Sequence, residues 1–460
     1  MISRHPVLRC IGAALAVISL LSGMTSTALA DGPGLSRIRD AEIESYLRDW
    51  ASPVWREAGL DPNQVQIVLV NENQINAFVA GGLNIFIYTG LLTGSDSANQ
   101  VIGVMAHETG HIAGGHLARM GEAIQHAEIL EILGLVLAAA AIGATGGRQA
   151  DAGLAGIGAG SSLAERNFLS FSRTQERSAD QAGVTFLEES GQSARGLYDF
   201  MKKLEGQEFL SAQRQDPYLR THPLTQDRID FIEHFLETSK YANAPPLPGH
   251  VEQHARMRGK LIGFLWPVPR VFQHYKDTDN SVEARYARSI AYHREAKEQE
   301  ALKLIDGLLA EKPDDPFYNE LKAQFLFEAG KVREAVPLYQ KANKTFPHNP
   351  LIETELAQTL IETGDPRFEK EAADSLNDAV TMDQEDPMTW KLLATVYGRQ
   401  GDEGRTALAL AEEALTEGRY PDAKGQAKRA QKLLPAGSPG ALRAQDIQEA
   451  AEKALKDERG

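Results

Sequence analysis

The chain is almost without cysteine. Its one cysteine, Cys10, lies among the first thirty of 460 residues. Those thirty residues read as an export signal, so the mature chain is expected to form no disulfide and to rely on packing. Lipid attachment at Cys10 is excluded too, because a lipidated cysteine follows the apolar export run and this one precedes it. Positive charge is also short: 48 Lys and Arg stand against 63 Asp and Glu, a net charge of −15. Phosphate binding needs basic surface, so nucleic acid is not an expected partner. Long apolar runs are scarce as well. Ile11 to Gly23 and Ile132 to Gly147 carry no charge, and both are short for a transmembrane span.

What is present divides along the chain. Arg4 and Arg9, the run from Ile11, and Ala28-Leu29-Ala30 make a signal peptide over 1–30 that is cleaved before Asp31. A periplasmic location follows as the expectation. Residues 35–72 predict a helical start and a short strand in "QVQIVLV"; Ile85, Phe86, Ile87 and Tyr88 predict another strand, with Gly81-Gly82 turning the chain before it. Residues 97–120 read as a helix. Residues 129–165, uncharged at first and then rich in Gly and Ala, predict a helical hairpin, either buried or in peripheral contact with a membrane. "ANAPPLPGH" at 242–250 is linker-like. Beyond it, Pro313 and Pro347, Ala301 and Ala335, and Gly330 and Gly364 each lie 34 apart, the tetratricopeptide period. Ala335 to Ala372 and Gly364 to Gly401 are 37 apart, which places a three-residue insertion near Pro366 to Lys370. Ala296 stands where the repeat usually has glycine, and after Gly401 the frame restarts half a repeat out of step at Gly418. The expected division is therefore 31–241, a linker with connecting helices over 242–281, and a repeat array over 282–460.

Chemistry concentrates in "AHETGHIAGGHL", residues 106–117. Positions i and i+4 share one face of a helix, so His107 and His111 converge on one ion. Glu108, one residue round, reaches a water on that ion. The third ligand has two candidates. His116 is about half a turn out of phase with His107 on a continuous helix, unless Gly114-Gly115 breaks it. The alternative is Glu176, which with Asp180 forms an i, i+4 pair in "FSRTQERSADQAG" on a second predicted helix. From spacing alone a solvated charge pair explains Glu176 and Asp180 equally well.

"HETGH", "SRTQERSAD" and "THPLTQDRI" in that order resemble the M48 metallopeptidases, and "NAFVAGGLNIFIYTGLL" resembles that family's substrate-side edge strand. The resemblance implies a zincin-like α+β domain, mostly helical, followed by an α-solenoid of repeats. It implies one Zn²⁺ per chain held by His107, His111 and Glu176, with Glu108 as the base. Asp180 would orient a ligand or serve a proton. His222, kept out of helix by Pro223, would either donate to an oxyanion or occupy the metal in the resting enzyme. An extended substrate would lie along Asn76, Ala77, Phe78, Val79 and Ala80. With the export signal and the repeats, the resemblance implies quality control of unfolded or stalled outer-membrane proteins. Contact with the β-barrel assembly machinery would run through the repeats. The competing class is a periplasmic chaperone or adaptor that works mainly through its repeats.

Overall fold

The computed structural model describes residues 36–116, 173–207 and 216–457. The expected signal peptide over 1–30 and the hairpin over 129–165 lie outside these residues. Asp40 opens the helix Ala41–Glu57 by accepting a hydrogen bond from the Ile43 amide at 2.8 Å. Its apolar face, with Ile43, Leu47, Trp50, Val54 and Trp55, is buried. Strand Gln66–Val70 follows and pairs in parallel with Asn84–Tyr88. Ala77–Ala80 pairs antiparallel with the other side of Asn84–Tyr88 and forms an edge of the sheet. Gly81 and Gly82 turn the chain between these two strands with φ of 59° and 95°, a conformation that favours glycine.

Ser97 caps the helix Ala98–Ala113, accepting from the Gln100 amide. This helix carries the His-Glu-His motif and is interrupted where Gly115 turns left-handed at φ 61°; residues 117–120 of the predicted helix lie outside the described residues. A second helix over 173–189 runs beside it. Two glycines set the approach. A Cβ on Gly110 would lie 2.5 Å from the Ala179 carbonyl oxygen, and one on Gly183 would lie 3.1 Å from the Ala106 carbonyl carbon. Residue numbers rise along one helix as they fall along the other, so the pair is antiparallel.

The 242–281 segment is more than a connection. Its helix His250–Leu265 packs on Ala41–Glu57 and on Val282–Arg294. Gly259 and Gly263 admit the latter helix closely: added Cβ atoms would lie 2.7 Å from the Glu283 carbonyl oxygen and 2.9 Å from Ile290. Arg256 donates to Glu42 at 2.7 Å and forks onto Asp315, while Tyr286 donates to the other Glu42 oxygen at 2.6 Å. Burial alone would raise the Glu42 pKa, but Arg256 and Lys260 outweigh it and hold the carboxyl below its usual range. The chain consequently clusters as one unit over Arg39–Tyr318, while the residues from Asn319 onward belong to a second. The expected boundaries at 241 and 281 both fall inside the first unit. A linker-like composition at 242–250 says nothing of a buried charge network further on.

From Val282 the chain is a series of helical hairpins, including Pro350–Glu362 with Glu369–Met382 and Pro387–Arg399 with Glu403–Thr416. Ala335, Ala372 and Ala407 are fully buried at helix contacts. The turns within hairpins use Gly330, Gly364 and Gly401 with positive φ, and Ala296 adopts the same conformation at φ 56°. The three-residue insertion is a 3-10 turn, Pro366–Phe368. Gly418, at φ 70°, makes a further such turn between Glu403–Thr416 and Tyr420–Leu433, where the frame slips. No helix among the described residues is long and apolar enough to cross a membrane.

Candidate metal centre

The antiparallel helix pair brings His107 and His111 against Glu176, and the segment after helix Pro217–Thr221 delivers His222 to the same place. All four are buried. The His111 and His107 Nε2 atoms are 3.1 Å apart, and His107 Nε2 lies 3.3 Å from His222 Nδ1. Glu176 oxygens stand 3.4 Å from each of the two motif histidines and 3.2 Å from His222 Nδ1. A tetrahedral ion with ligand bonds of about 2.0–2.1 Å has ligand–ligand edges of roughly 3.3–3.4 Å. Counting either Glu176 oxygen, five of the six donor–donor distances are 3.1–3.4 Å, and all four donors lie within 4.8 Å of one another, so three imidazoles and a carboxylate here can close on a four-coordinate divalent ion. Charge agrees. With Glu108, Glu176 and Asp180 ionised and the histidines neutral, Arg228 balances one of three buried carboxylates.

Around these donors, other groups fix orientation. His107 Nδ1 lies 2.9 Å from Asp180 Oδ1. Arg228 forks onto both Asp180 oxygens at 2.6 and 2.8 Å, reaches Glu176 at 3.0 Å, and donates to the Pro223 carbonyl. Asp180 thus has both oxygens engaged, an orienting position. Burial opposes a charged His107, but Asp180 and Glu176 outweigh it and lift its pKa to about 10. Burial, together with charge on His107 and His222, drops His111 to about 3. Glu176 is held far below its usual range: burial works to raise it, and His222 charge with three imidazole contacts prevails. A bound dication would take the place of the proton on His107.

Glu108 differs from the other carboxylates. It is fully buried, its pKa is raised by that burial, and neither oxygen has a hydrogen-bond partner. His222 Nε2 lies 3.5 Å from its Oε1. A carboxylate held with free lone pairs beside a metal site is suited to accept a proton. Asn76 is buried next to the edge strand, with its Oδ1 unpartnered. Ala77 and Val79 are buried, and Phe78 and Ala80 are half-buried.

His116 is not among the four donors. The chain breaks at Gly114-Gly115, and His116 Nδ1 meets the outer nitrogen of His111 at 3.0 Å. Two residues beside the site escaped the sequence reading. Arg228 stands within the quoted "THPLTQDRI" but had no role in it; the signal available was a lone arginine among acidic motifs. Tyr218 stacks on the His222 ring at 4.7 Å, with its hydroxyl buried and unpartnered. No spacing pattern marked it.

Residues 37–236 match the family described as Peptidase family M48, and residues 326–396 match a tetratricopeptide repeat family. The chain carries an M48 peptidase domain and is a metalloprotease. It is 26% identical to the beta-barrel assembly-enhancing protease of Escherichia coli over 415 residues, 87% of this chain and 81% of that protein. The mitochondrial metalloendopeptidase OMA1 of Bos taurus is 30% identical over 189 residues, 40% of this chain and 35% of that one. Among solved structures, a MamA chain covers 36% of this chain, and 95% of its own length is matched, at 19% identity and TM-score 0.31. The M48 match takes in the His-Glu-His helix, the 173–189 helix and the His222 segment.

Proposed function

We propose that this chain is a zinc-dependent endopeptidase of the bacterial periplasm that degrades unfolded or stalled outer-membrane proteins. The observation that carries the reading is the donor set of His107, His111, Glu176 and His222 beside the unpartnered carboxylate of Glu108. When bound, zinc supplies a Lewis acid that lowers the pKa of water and polarises a peptide carbonyl. Glu108 accepts the proton of the attacking water and passes it to the leaving amine. Asp180 and Arg228 hold His107 and Glu176 in place throughout. His222 plugs the site at rest and excludes water. Once its segment lifts, the ring is free to donate a hydrogen bond to the developing oxyanion.

Ala77–Ala80 is an edge strand that packs on the motif helix, and an extended chain can add to it by main-chain hydrogen bonds. Such recognition selects for exposed backbone more than for sequence, which suits unfolded substrates. The likeness to a protease named for assembling β-barrels supports outer-membrane proteins as substrates and the assembly machinery as the partner of the repeats. Ala28-Leu29-Ala30 supports export by a cleaved signal.

The test is cleavage of casein with and without chelator, in the wild type and in Glu108→Gln. The reading expects chelator-sensitive cleavage and a variant that keeps its zinc but is slower by about 10²–10⁴-fold. Near-normal turnover by Glu108→Gln overturns the mechanism. Wild-type protein that binds zinc and clients yet cleaves nothing favours the adaptor class.

A further inference from the structure

We propose that His116 is a positioning residue that fixes the tautomer and ring angle of His111 as a metal ligand. The inference rests on reading the buried cluster as a metal site. His111 turns Nε2 towards the other donors, 3.1 Å from His107 Nε2 and 3.4 Å from Glu176. A ligating nitrogen needs its lone pair, so the proton of the neutral ring belongs on Nδ1. That Nδ1 lies 3.0 Å from His116 Nδ1, with the two rings at 81°. His111 donates and His116 accepts. Both rings are buried, at 6% and 2% exposure, so bulk water is a poor substitute for this bond.

The local sequence is built for the contact. Helix Ala98–Ala113 would carry His116 out of phase if it continued. Gly115 at φ 61° reverses the chain, and His116 folds back over Gly114, where a Cβ would lie 2.4 Å from its Nε2. Gln175, the neighbour of Glu176, donates to the His116 carbonyl at 3.3 Å. Adjacent residues of one helix therefore hold a ligand carboxylate and the support of a ligand histidine.

The two motif histidines are backed differently. His107 Nδ1 faces the Asp180 carboxylate, itself held by Arg228. His111 Nδ1 faces the His116 imidazole. A carboxylate makes the ring a stronger donor, while an imidazole orients the ring without adding charge. In a site that already buries three carboxylates, a fourth would have no matching cation.

The experiment measures zinc affinity by chelator competition, and the visible spectrum of the cobalt-substituted protein, for full-length wild type, His116→Ala and His116→Asn. His116→Ala should still take one metal at saturation but bind it about 10–100-fold more weakly, with an altered cobalt spectrum. His116→Asn places an amide oxygen near the lost Nδ1 and should restore most of the affinity and spectrum. An alanine variant with wild-type affinity and spectrum overturns the proposal. So does an asparagine variant as weak as alanine when both lose equal thermal stability without metal, because His116 is then only filler. Wild-type protein that binds no zinc overturns the site reading as well, which separates the two failures.

Discussion

The helices of the metal site and those of the repeats both depend on small residues, with different results. At Gly110 and Gly183 the absence of a side chain lets two backbones meet, so that His107, His111, Glu176 and Asp180 face one another. Each position is used once, and the space gained is filled with polar groups that constrain one another. In the repeats, Ala335, Ala372 and Ala407 recur at matching helix contacts and bury apolar surface alone. One region gains specificity from a single close approach, and the other gains extent from repetition. A change at the first should therefore be felt at the metal. A change at the second should be felt only as local stability.

The largest expected effect lies in the buried charges of the first unit. Arg256→Met leaves Asp315 without its forked partner and leaves Glu42 with Lys260 and two tyrosines. Removing one member of a buried pair costs about 3–5 kcal/mol. Chemical denaturation should show that loss, and an unchanged midpoint would mean the 250–318 helices are not integral to the first unit. For the same reason, truncation before residue 282, which removes Tyr286 and Asp315, should give an unstable protein. A cut at the expected boundary would be read wrongly as a failed protease domain.

Gly110→Ala comes next. Its Cβ would press on the Ala179 carbonyl, and relieving that contact costs about 1–3 kcal/mol. Zinc binding should weaken as well, because the helices must move apart at the ligands. If the variant binds zinc normally, the close approach is not what places the donors.

The smallest effect, and the one of opposite sign, is Ala296→Gly. Ala296 adopts a left-handed conformation that its neighbouring repeats give to glycine. The substitution should stabilise the protein by up to about 1 kcal/mol, since the penalty for a side chain there is about 1–2 kcal/mol, partly offset by glycine's greater unfolded-chain entropy. Zinc affinity should not change. A loss of stability would show that the entropy term prevails.

The repeats were legible in the sequence because a period announces itself several times over: the glycine turns, the buried alanines and even the insertion at Pro366–Phe368 fall where the spacings put them. The motif helix was legible for a similar reason, since i, i+4 spacing is local. What spacing alone left open was everything that depends on two segments meeting. His116 against Glu176 was undecided, because phase along one helix does not say where a glycine break sends the next residue. Arg228 and Tyr218 gained meaning only when the chain brought them to Asp180 and His222. That the helices over 250–318 pack into the first unit was hidden because Glu42 and Arg256 are 214 residues apart and neither belongs to a pattern.

The most direct test of the account is the ligand count of zinc in the resting protein. X-ray absorption on the zinc-loaded full-length chain should find three imidazole nitrogens and one carboxylate oxygen at about 2.0–2.1 Å, falling to two imidazoles in His222→Ala. A wild-type spectrum already showing two imidazoles, unchanged by the His222 substitution, would contradict it.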